Sequence, residues 1–222
     1  MDFETYPKIE TVFSRNPETK KLTAYDWRMS EIGYLQDNDW IWTEKVDGMN
    51  ARVYWDGHNV TFGGRTERAQ IPNGLMEYLE KTFGGETNEE IWEQRFGENE
   101  VILFGEGYGP KIQSGSQYRD DISFILFDVK IGKYWLQRDA VEDIAHYFGI
   151  DVVPIVRSPD GYPDVHFAID YVAKHPKSIV AKNNGKDCYM EGLVGVPKCG
   201  LLRRNGERIQ VKVKWNDIKE LV

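Results

Sequence analysis

Five strand-like stretches of this 222-residue chain carry charge inside apolar sequence. Lys45 ends "WIWTEK", Arg65 follows "NVTFGG", Glu106 lies in "EVILFGEGYG", Glu191 opens "EGLVGVP", and Lys212 and Lys214 alternate with valines in "RIQVKVKW". Charge removed from water is costly unless it is paired or put to use. One such residue reads as a buried ion pair. Five along one chain require a fold that gathers them at a common polar site. Each also has a plain reading by itself. Lys45, three residues before Gly48, reads as a surface lysine beside a turn. Glu106 and Glu191 read as acids at strand ends. Lys212 and Lys214 read as the wet face of a half-buried strand.

The surrounding pattern is α+β. Residues 40–46 and 51–57 read as strands, and Asp56-Gly57 is a turn signal that brings 59–64 back as a hairpin partner. Residues 73–84 and 88–97 read as helices, each opened by an Asn cap (Asn73, Asn88) and stopped by a glycine. Residues 100–109 form a buried strand, and 122–136 form a strand, a turn and a second strand. In 138–149, Val141, Ile144, Ala145 and Phe148 share one helical face. A strand at 151–156, a helix at 164–175 and strands at 190–197 and 208–215 complete the reading. Hairpins separated by helices predict antiparallel sheets flanked by helices. With no repeat and no Pro/Ser-rich linker, residues 1–222 read as a single domain.

Composition narrows the setting. A hydrophobic content of 41% marks a folded chain. No apolar run approaches the ~20 residues of a membrane span. The start, "MDFETYPKIETVFSRN", lacks the pattern of a signal peptide, so a cytoplasmic location is expected. Cys188 and Cys199 have no metal-type spacing and read as free thiols. The net charge of -8 argues against a broadly basic surface. The charge is uneven, however. Residues 77–100 hold eight acids against Lys81 and Arg95, whereas 196–214 hold six basic residues against Glu207. Such a basic strip can bind polyanions while the rest of the surface stays acidic.

In order, the charged stretches resemble the motifs of the covalent nucleotidyltransferases, the superfamily of ATP-dependent RNA and DNA ligases and mRNA capping enzymes. "EKVDGMN" (44–50) is similar to the K-x-D-G motif, "GGRT" (63–66) to the segment with the motif Ia arginine, and "LFGEGYG" (103–109) to motif III. "FILFDV" (124–129) is similar to motif IIIa, "MEGLVGVP" (190–197) to motif IV, and "IQVKVKW" (209–215) to motif V. Within the superfamily the chain looks like the RNA ligase 2 group, on Glu44, Asn50, "RT" in "GGRT", and "FGE" before an aromatic-Gly pair. DNA ligases and capping enzymes carry an OB-fold after motif V, and RNA ligase 2 proteins a helical domain. This chain runs only eight residues past Lys214, so it reads as a stand-alone adenylyltransferase domain without either.

The resemblance implies an ATP-grasp-like ligase catalytic domain that joins 3′-OH and 5′-phosphate RNA ends at duplex nicks through a lysyl-AMP. The alternatives are a minimal DNA ligase or a GTP-using capping-type enzyme. Lys45 is then the nucleophile, and Lys212 and Lys214 neutralise charge at the α-phosphate. A lysine amine has a pKa near ~10.4, and neighbouring cations favour loss of its proton. Arg65 suits a phosphate oxygen, Glu106 the ribose hydroxyls, and Phe127 the adenine face. Glu191 is the expected ligand of Mg²⁺ or Mn²⁺. Asn50 is expected to hold a metal-bound water or the 3′-OH, and Glu44 to help read the base. Asp47 is expected to orient the loop, and Gly48 to let the backbone approach the nucleotide. Lys111, Arg119, Arg203 and Arg204 are candidate contacts to a nicked, RNA-containing duplex. A monomer acting in RNA repair, in a cell or as a viral protein in its host, completes the expectation.

Overall fold

A computed structural model describes residues 4–66 and 68–221. Its strands are β1 (Glu10–Thr11), β2 (Phe13–Arg15), β3 (Leu22–Trp27), β4 (Trp40–Lys45), β5 (Met49–Trp55), β6 (Val60–Gly64), β7 (Val101–Tyr108), β8 (Ser123–Ile131), β9 (Tyr134–Trp135), β10 (Asp151–Val152), β11 (Ile155–Val156), β12 (Gly192–Pro197) and β13 (Val211–Lys214). Its helices are α1 (Ser30–Leu35), α2 (Asn73–Phe83), α3 (Glu86–Phe96), α4 (Arg138–Phe148), α5 (Val165–Ala173), α6 (Ile179–Asn183) and α7 (Trp215–Ile218). The chain divides into two compact units. One holds the residues up to 7 and 47–153; the other holds 8–46 and the residues from 154 on.

In the first unit the sheet runs β10-β8-β7-β5-β6, with β9 added to β8. All pairs are antiparallel except β10 with β8. Strand residues alternate between faces, so Ala51, Val53, Leu103 and Leu126 turn to one side and are fully buried. There they pack with Leu75, Leu79 and Phe83 of α2, Trp92 of α3, and Val141, Ile144 and Ala145 of α4. The i, i+3, i+4 spacing on α4 is the one expected from its sequence. Gly149 ends α4 in a left-handed conformation and its N–H bonds the Ala145 carbonyl.

The second unit's sheet runs β1-β13-β12-β4-β11, with β2 and β3 as a separate hairpin. Here β1 pairs β13 in parallel and the other pairs are antiparallel. Its core joins Trp40, Trp42, Leu193, Val211 and Val213 with Val165, Ala168 and Val172 of α5 and Ile218 of α7. The Asp164 carboxylate caps α5 by accepting the Phe167 N–H at 2.7 Å.

The antiparallel sheets flanked by helices match the sequence expectation. Details differ for local reasons. Pro72, not an asparagine, precedes α2, and α3 starts at Glu86, so Asn88 lies inside the helix. Its side-chain amide donates instead to the carbonyls of Lys81 and Gly84, satisfying the end of α2. The 151–156 segment is two short strands rather than one. Pro154, which lacks an N–H, separates β10 in one sheet from β11 in the other. Strands β1 to β3 and helices α1, α6 and α7 lack the periodicity that marks an element in sequence. Among the described residues no helix is long and apolar enough to cross a membrane.

Trp92 is fully buried and its indole N–H donates to the Phe83 carbonyl. Trp92→Ala is expected to lower stability by about 3–5 kcal/mol in urea unfolding followed by circular dichroism. A loss below about 1 kcal/mol would place this ring outside the core.

Candidate active site

In the second unit, Lys45 on β4 and Lys214 on β13 both lie opposite Gly192 on β12. Opposed residues point to the same face of a sheet. Both lysines therefore leave one face, joined by Lys212 two residues back. Trp42, Leu193, Val211 and Val213 take the other face and form core. A Cβ on Gly192 would come within 2.1 Å of the Val213 carbonyl oxygen, so glycine is what lets β12 and β13 close.

Glu191, directly before β12, lies between the two lysines. Lys45 Nζ donates to its Oε2 at 2.7 Å, and Lys214 Nζ pairs with its Oε1 at 2.8 Å. The Glu191 side chain is only 14% exposed, against 27% for Lys45 and 29% for Lys214. The Trp215 N–H bonds the Glu191 carbonyl at 3.0 Å and fixes the backbone there. The structure thus gathers Lys45, Glu191 and Lys214, with Lys212 on the same face.

Glu44 goes the other way. Strand alternation sends its side chain into the interior, where it is 2% exposed. Its carboxylate accepts the N–H groups of Ile179 at 2.8 Å and Val180 at 3.1 Å, and a short bond from the Ser178 hydroxyl. Glu44 therefore ties β4 to the start of α6, one residue from Lys45. Burial pushes its carboxyl above the ordinary 4.5, against the pull of the Ser178, Val180 and Ile179 bonds.

In the first unit, Asn50 on β5 lies directly opposite Glu106 on β7. Asn50 Oδ1 is buried without a hydrogen-bond partner among the described residues. Buried polar atoms are rarely left so, and such an atom fits a ligand-facing role. Phe127 occupies a β-bulge. Phe104 pairs with Asp128 and Gly105 with Leu126, which leaves Phe127 as the extra residue on β8. Phe127 and Asp128 consequently both reach Tyr6. The Tyr6 ring meets Phe127 edge-on at 5.0 Å, and its hydroxyl donates to Asp128 Oδ2 at 2.9 Å.

Arg65 is exposed directly after Gly64, the partner of Ala51. Behind it Arg52 is 1% exposed and donates from Nε to the Gly64 carbonyl at 2.7 Å and from Nη1 to the Glu4 carbonyl at 2.8 Å. Gly48 is set by packing, because a Cβ there would sit 2.4 Å from the Gly107 carbonyl oxygen. The Asp47 N–H bonds the Tyr118 hydroxyl oxygen at 3.3 Å.

The four candidate nucleic-acid contacts fare unevenly. Lys111 and Arg204 are exposed. Arg119 is held by both carboxylate oxygens of Asp121, at 2.7 and 2.9 Å, and lies over the Tyr108 ring. Arg203 pairs with Glu31 at 3.2 Å and Glu207 at 3.4 Å. Arg52, Tyr6 and Ser178 were not singled out by sequence. Arg52 carried the available signal, a charge between Ala51 and Val53 in a strand.

The sequence profile of a family described as RNA ligase matches residues 38–214. The chain belongs to the RNA ligase family. Among solved structures it resembles a Naegleria gruberi RNA ligase mutant with ATP and Mn, at a TM-score of 0.60 and 17% identity over 97% of this chain. It also resembles the Naegleria gruberi RNA ligase with PPi, at a TM-score of 0.59 and 18% identity over 97% of this chain. The chain spans only 63% of the length of each of these structures. No curated protein sequence matches.

Glu44→Ala is expected to strand the Ser178 hydroxyl and two N–H groups and to lower stability by about 2–4 kcal/mol in urea unfolding. Glu44→Gln tests the charge. The folded carboxyl titrates above its ordinary 4.5, so the folded chain binds the proton more tightly than the unfolded one. Its contribution is complete below the ordinary value and is lost as pH rises through the folded value. Wild type should therefore lose ground to Glu44→Gln as pH rises above 4.5. A melting-temperature difference that does not change with pH contradicts this.

Proposed function

We propose that this chain is the adenylyltransferase domain, residues 1–222, of an ATP-dependent RNA ligase that seals 3′-OH and 5′-phosphate ends at nicks in a duplex. The carrying observation is the Lys45–Glu191–Lys214 bridge, which sets an amine beside a second cation and a single carboxylate. In the first step Lys45 Nζ attacks the α-phosphorus of ATP. An N–P bond forms, the bridging P–O bond to the β-phosphorus breaks, and its electron pair leaves with pyrophosphate. Lys45 must lose a proton first, and Glu191 is the acceptor within hydrogen-bond reach. Lys214 and Lys212 face the same space and offset charge building on the α-phosphate oxygens. AMP then passes to a 5′-phosphate, and a 3′-OH displaces it.

The first unit supplies the remaining roles. Phe127, turned by the bulge and braced by Tyr6, offers a ring face to adenine. Glu106 accepts from the ribose hydroxyls. Arg65 serves a phosphate oxygen, placed through Arg52 and the Gly64 carbonyl. Asn50 Oδ1 is free to accept from the 3′-OH or a water. Glu44 acts through position, holding β4 against α6 so that Lys45 keeps its reach.

The expected metal is Mg²⁺ or Mn²⁺. Among the described residues no group of three or more His, Cys, Asp or Glu side chains could hold an ion. Mg²⁺ is typically bound by one or two carboxylates together with substrate phosphates and water, so Glu191 alone fits that mode. When bound, the ion supplies charge neutralisation at the phosphates.

Incubation with α-labelled ATP followed by a denaturing gel tests the reading. A covalent AMP adduct is expected in wild type and none in Lys45→Ala, with Lys214→Ala slowed by about 100-fold or more. No adduct with ATP or GTP, at any divalent metal, would sink the enzyme assignment. Sealing of nicks with 3′-ribose in preference to 3′-deoxyribose ends then separates an RNA ligase from a DNA ligase.

A further inference from the structure

Three aromatic rings stack at the surface of the second unit. His175 lies between Tyr189 at 4.2 Å and Trp215 at 4.3 Å, with interplanar angles of 18° and 8°. Tyr189 is 53% exposed, and His175 and Trp215 are half-buried. The imidazole is set by the end of α5, where His175 takes a left-handed φ of 47° and its N–H bonds the Val172 carbonyl at 2.9 Å. Residues other than glycine seldom adopt that conformation, and the two flanking rings clasp the imidazole in it. Burial first, and then the charges of Lys177 and Lys219, keep the imidazole below its usual pKa range, so the stack is neutral at pH 7. The stack adjoins the lysine bridge. Trp215 directly follows Lys214 and its N–H bonds the Glu191 carbonyl. Tyr189 stands two residues before Glu191, with Met190 between them in the core.

The segment that carries Tyr189 is basic. The Ser178 N–H bonds the Cys188 carbonyl and the Met190 N–H the Pro176 carbonyl, each at 2.9 Å, which closes residues 177–189 into one loop around α6. Between Asp170 and Asp187 the sequence holds Lys174, Lys177, Lys182 and Lys186 and no acid. With both bordering acids counted, four cations still stand against two carboxylates, and Asp187 is taken by Lys177 at 3.0 Å. Lys174 and Lys182 are exposed, and among the described residues neither has a carboxylate within ion-pair distance. The 196–214 strip is more fully neutralised, since Lys198 pairs with Asp39 at 3.2 Å and Arg203 with Glu31 and Glu207.

With His175 stacked on one face of Tyr189, the Lys177 ammonium takes the other, 3.9 Å from the ring centroid. Both contacts of Lys177 are at the surface, its side chain 49% exposed and that of Asp187 79%. Exposed cation–ring contacts and exposed ion pairs are weak. A nucleobase laid on the same ring face gains more, and the released ammonium remains beside it for a phosphate. We propose that this surface binds an unpaired stretch of the RNA strand next to the transfer centre, with one base on Tyr189 in place of Lys177 and the flanking phosphates on Lys174, Lys177 and Lys182. The proposal deepens the ligase reading of Lys45 and rests on it. A perfect duplex keeps its bases stacked on one another and offers only its backbone, whereas an exposed ring braced from behind suits unstacked nucleotides. An acidic protein segment would use the lysines and leave the ring idle. The surface thus favours RNA whose junction is flanked by unpaired nucleotides.

Fluorescence anisotropy of the full chain with a labelled oligouridylate tests the surface without requiring catalysis, and uracil keeps the probe from imitating adenine. Tyr189→Ala is expected to weaken binding by about tenfold and Tyr189→Phe to retain it. The double variant Lys174→Ala, Lys182→Ala is expected to weaken binding and to lower the slope of log affinity against log salt by about one. All three side chains are exposed, so these variants are expected to fold. On a blunt RNA duplex Tyr189→Ala should cost far less than on oligouridylate. Unchanged oligouridylate affinity in Tyr189→Ala overturns the proposal, even where the lysine variant loses affinity, because the patch then answers to any polyanion. An equal loss on oligouridylate and on duplex overturns it as well. The α-labelled ATP adduct separates this outcome from the ligase reading. If wild type forms no adduct while the variants lose oligouridylate affinity, the surface stands and the ligase reading falls. If the adduct forms and no variant changes that affinity, the ligase reading stands and the surface falls.

Discussion

Glu191 holds two ammonium groups that would otherwise repel each other, and the second unit is arranged around that bridge. Lys45 and Lys214 stand in one row of a sheet, two strand spacings apart, with Gly192 between them. Neighbouring strands lie about 4.8 Å apart, so the carboxylate before Gly192 is the group able to reach both. The same register that aligns the row sends Trp42, Leu193 and Val213 into the core. A slip of one residue would invert core and site together. Stability of the sheet and placement of the Lys45 amine are therefore one constraint.

Much of this is legible in the sequence. Charges inside apolar strands marked Lys45, Glu106, Glu191, Lys212 and Lys214, because burial makes such residues expensive wherever the fold does not use them. Pairing was not legible. Nothing in the order of residues says that Asn50 faces Glu106, or that β8 carries an extra residue at Phe127. Side-chain destination was missed for Glu44. Its neighbour Lys45 made it look like a site residue, while alternation turns it inward to α6. Arg52 meets the same test, a charge between apolar strand residues that the fold buries.

The β2–β3 hairpin escaped notice for a different reason. Of β3 only Leu22 is buried, so its sequence shows no alternation of apolar and polar positions. In sequence Arg119 and Arg203 read as open to a polyanion, because a linear sequence does not show the carboxylates that fold against them. A cavity beside Lys212 and Lys214 is the converse case. Lys8, Arg15, Lys20 and Arg28 are scattered among acids over the first 28 residues, and β1 pairing with β13 collects them beside Lys212. A chain with net charge -8 can thus gather basic side chains around one cavity without a basic run marking it.

The bulge in β8 has a consequence for how this sheet tolerates change. Ladder regularity and aromatic placement are in opposition there. Deleting one residue at Phe127 would bring the two halves of the β7–β8 ladder into a single register, a gain in backbone order. It would also remove the break in parity that puts a ring and a carboxylate side by side under Tyr6. Selection for a more regular sheet would therefore act against the pairing of Phe127 and Asp128 under Tyr6, which regular geometry does not produce.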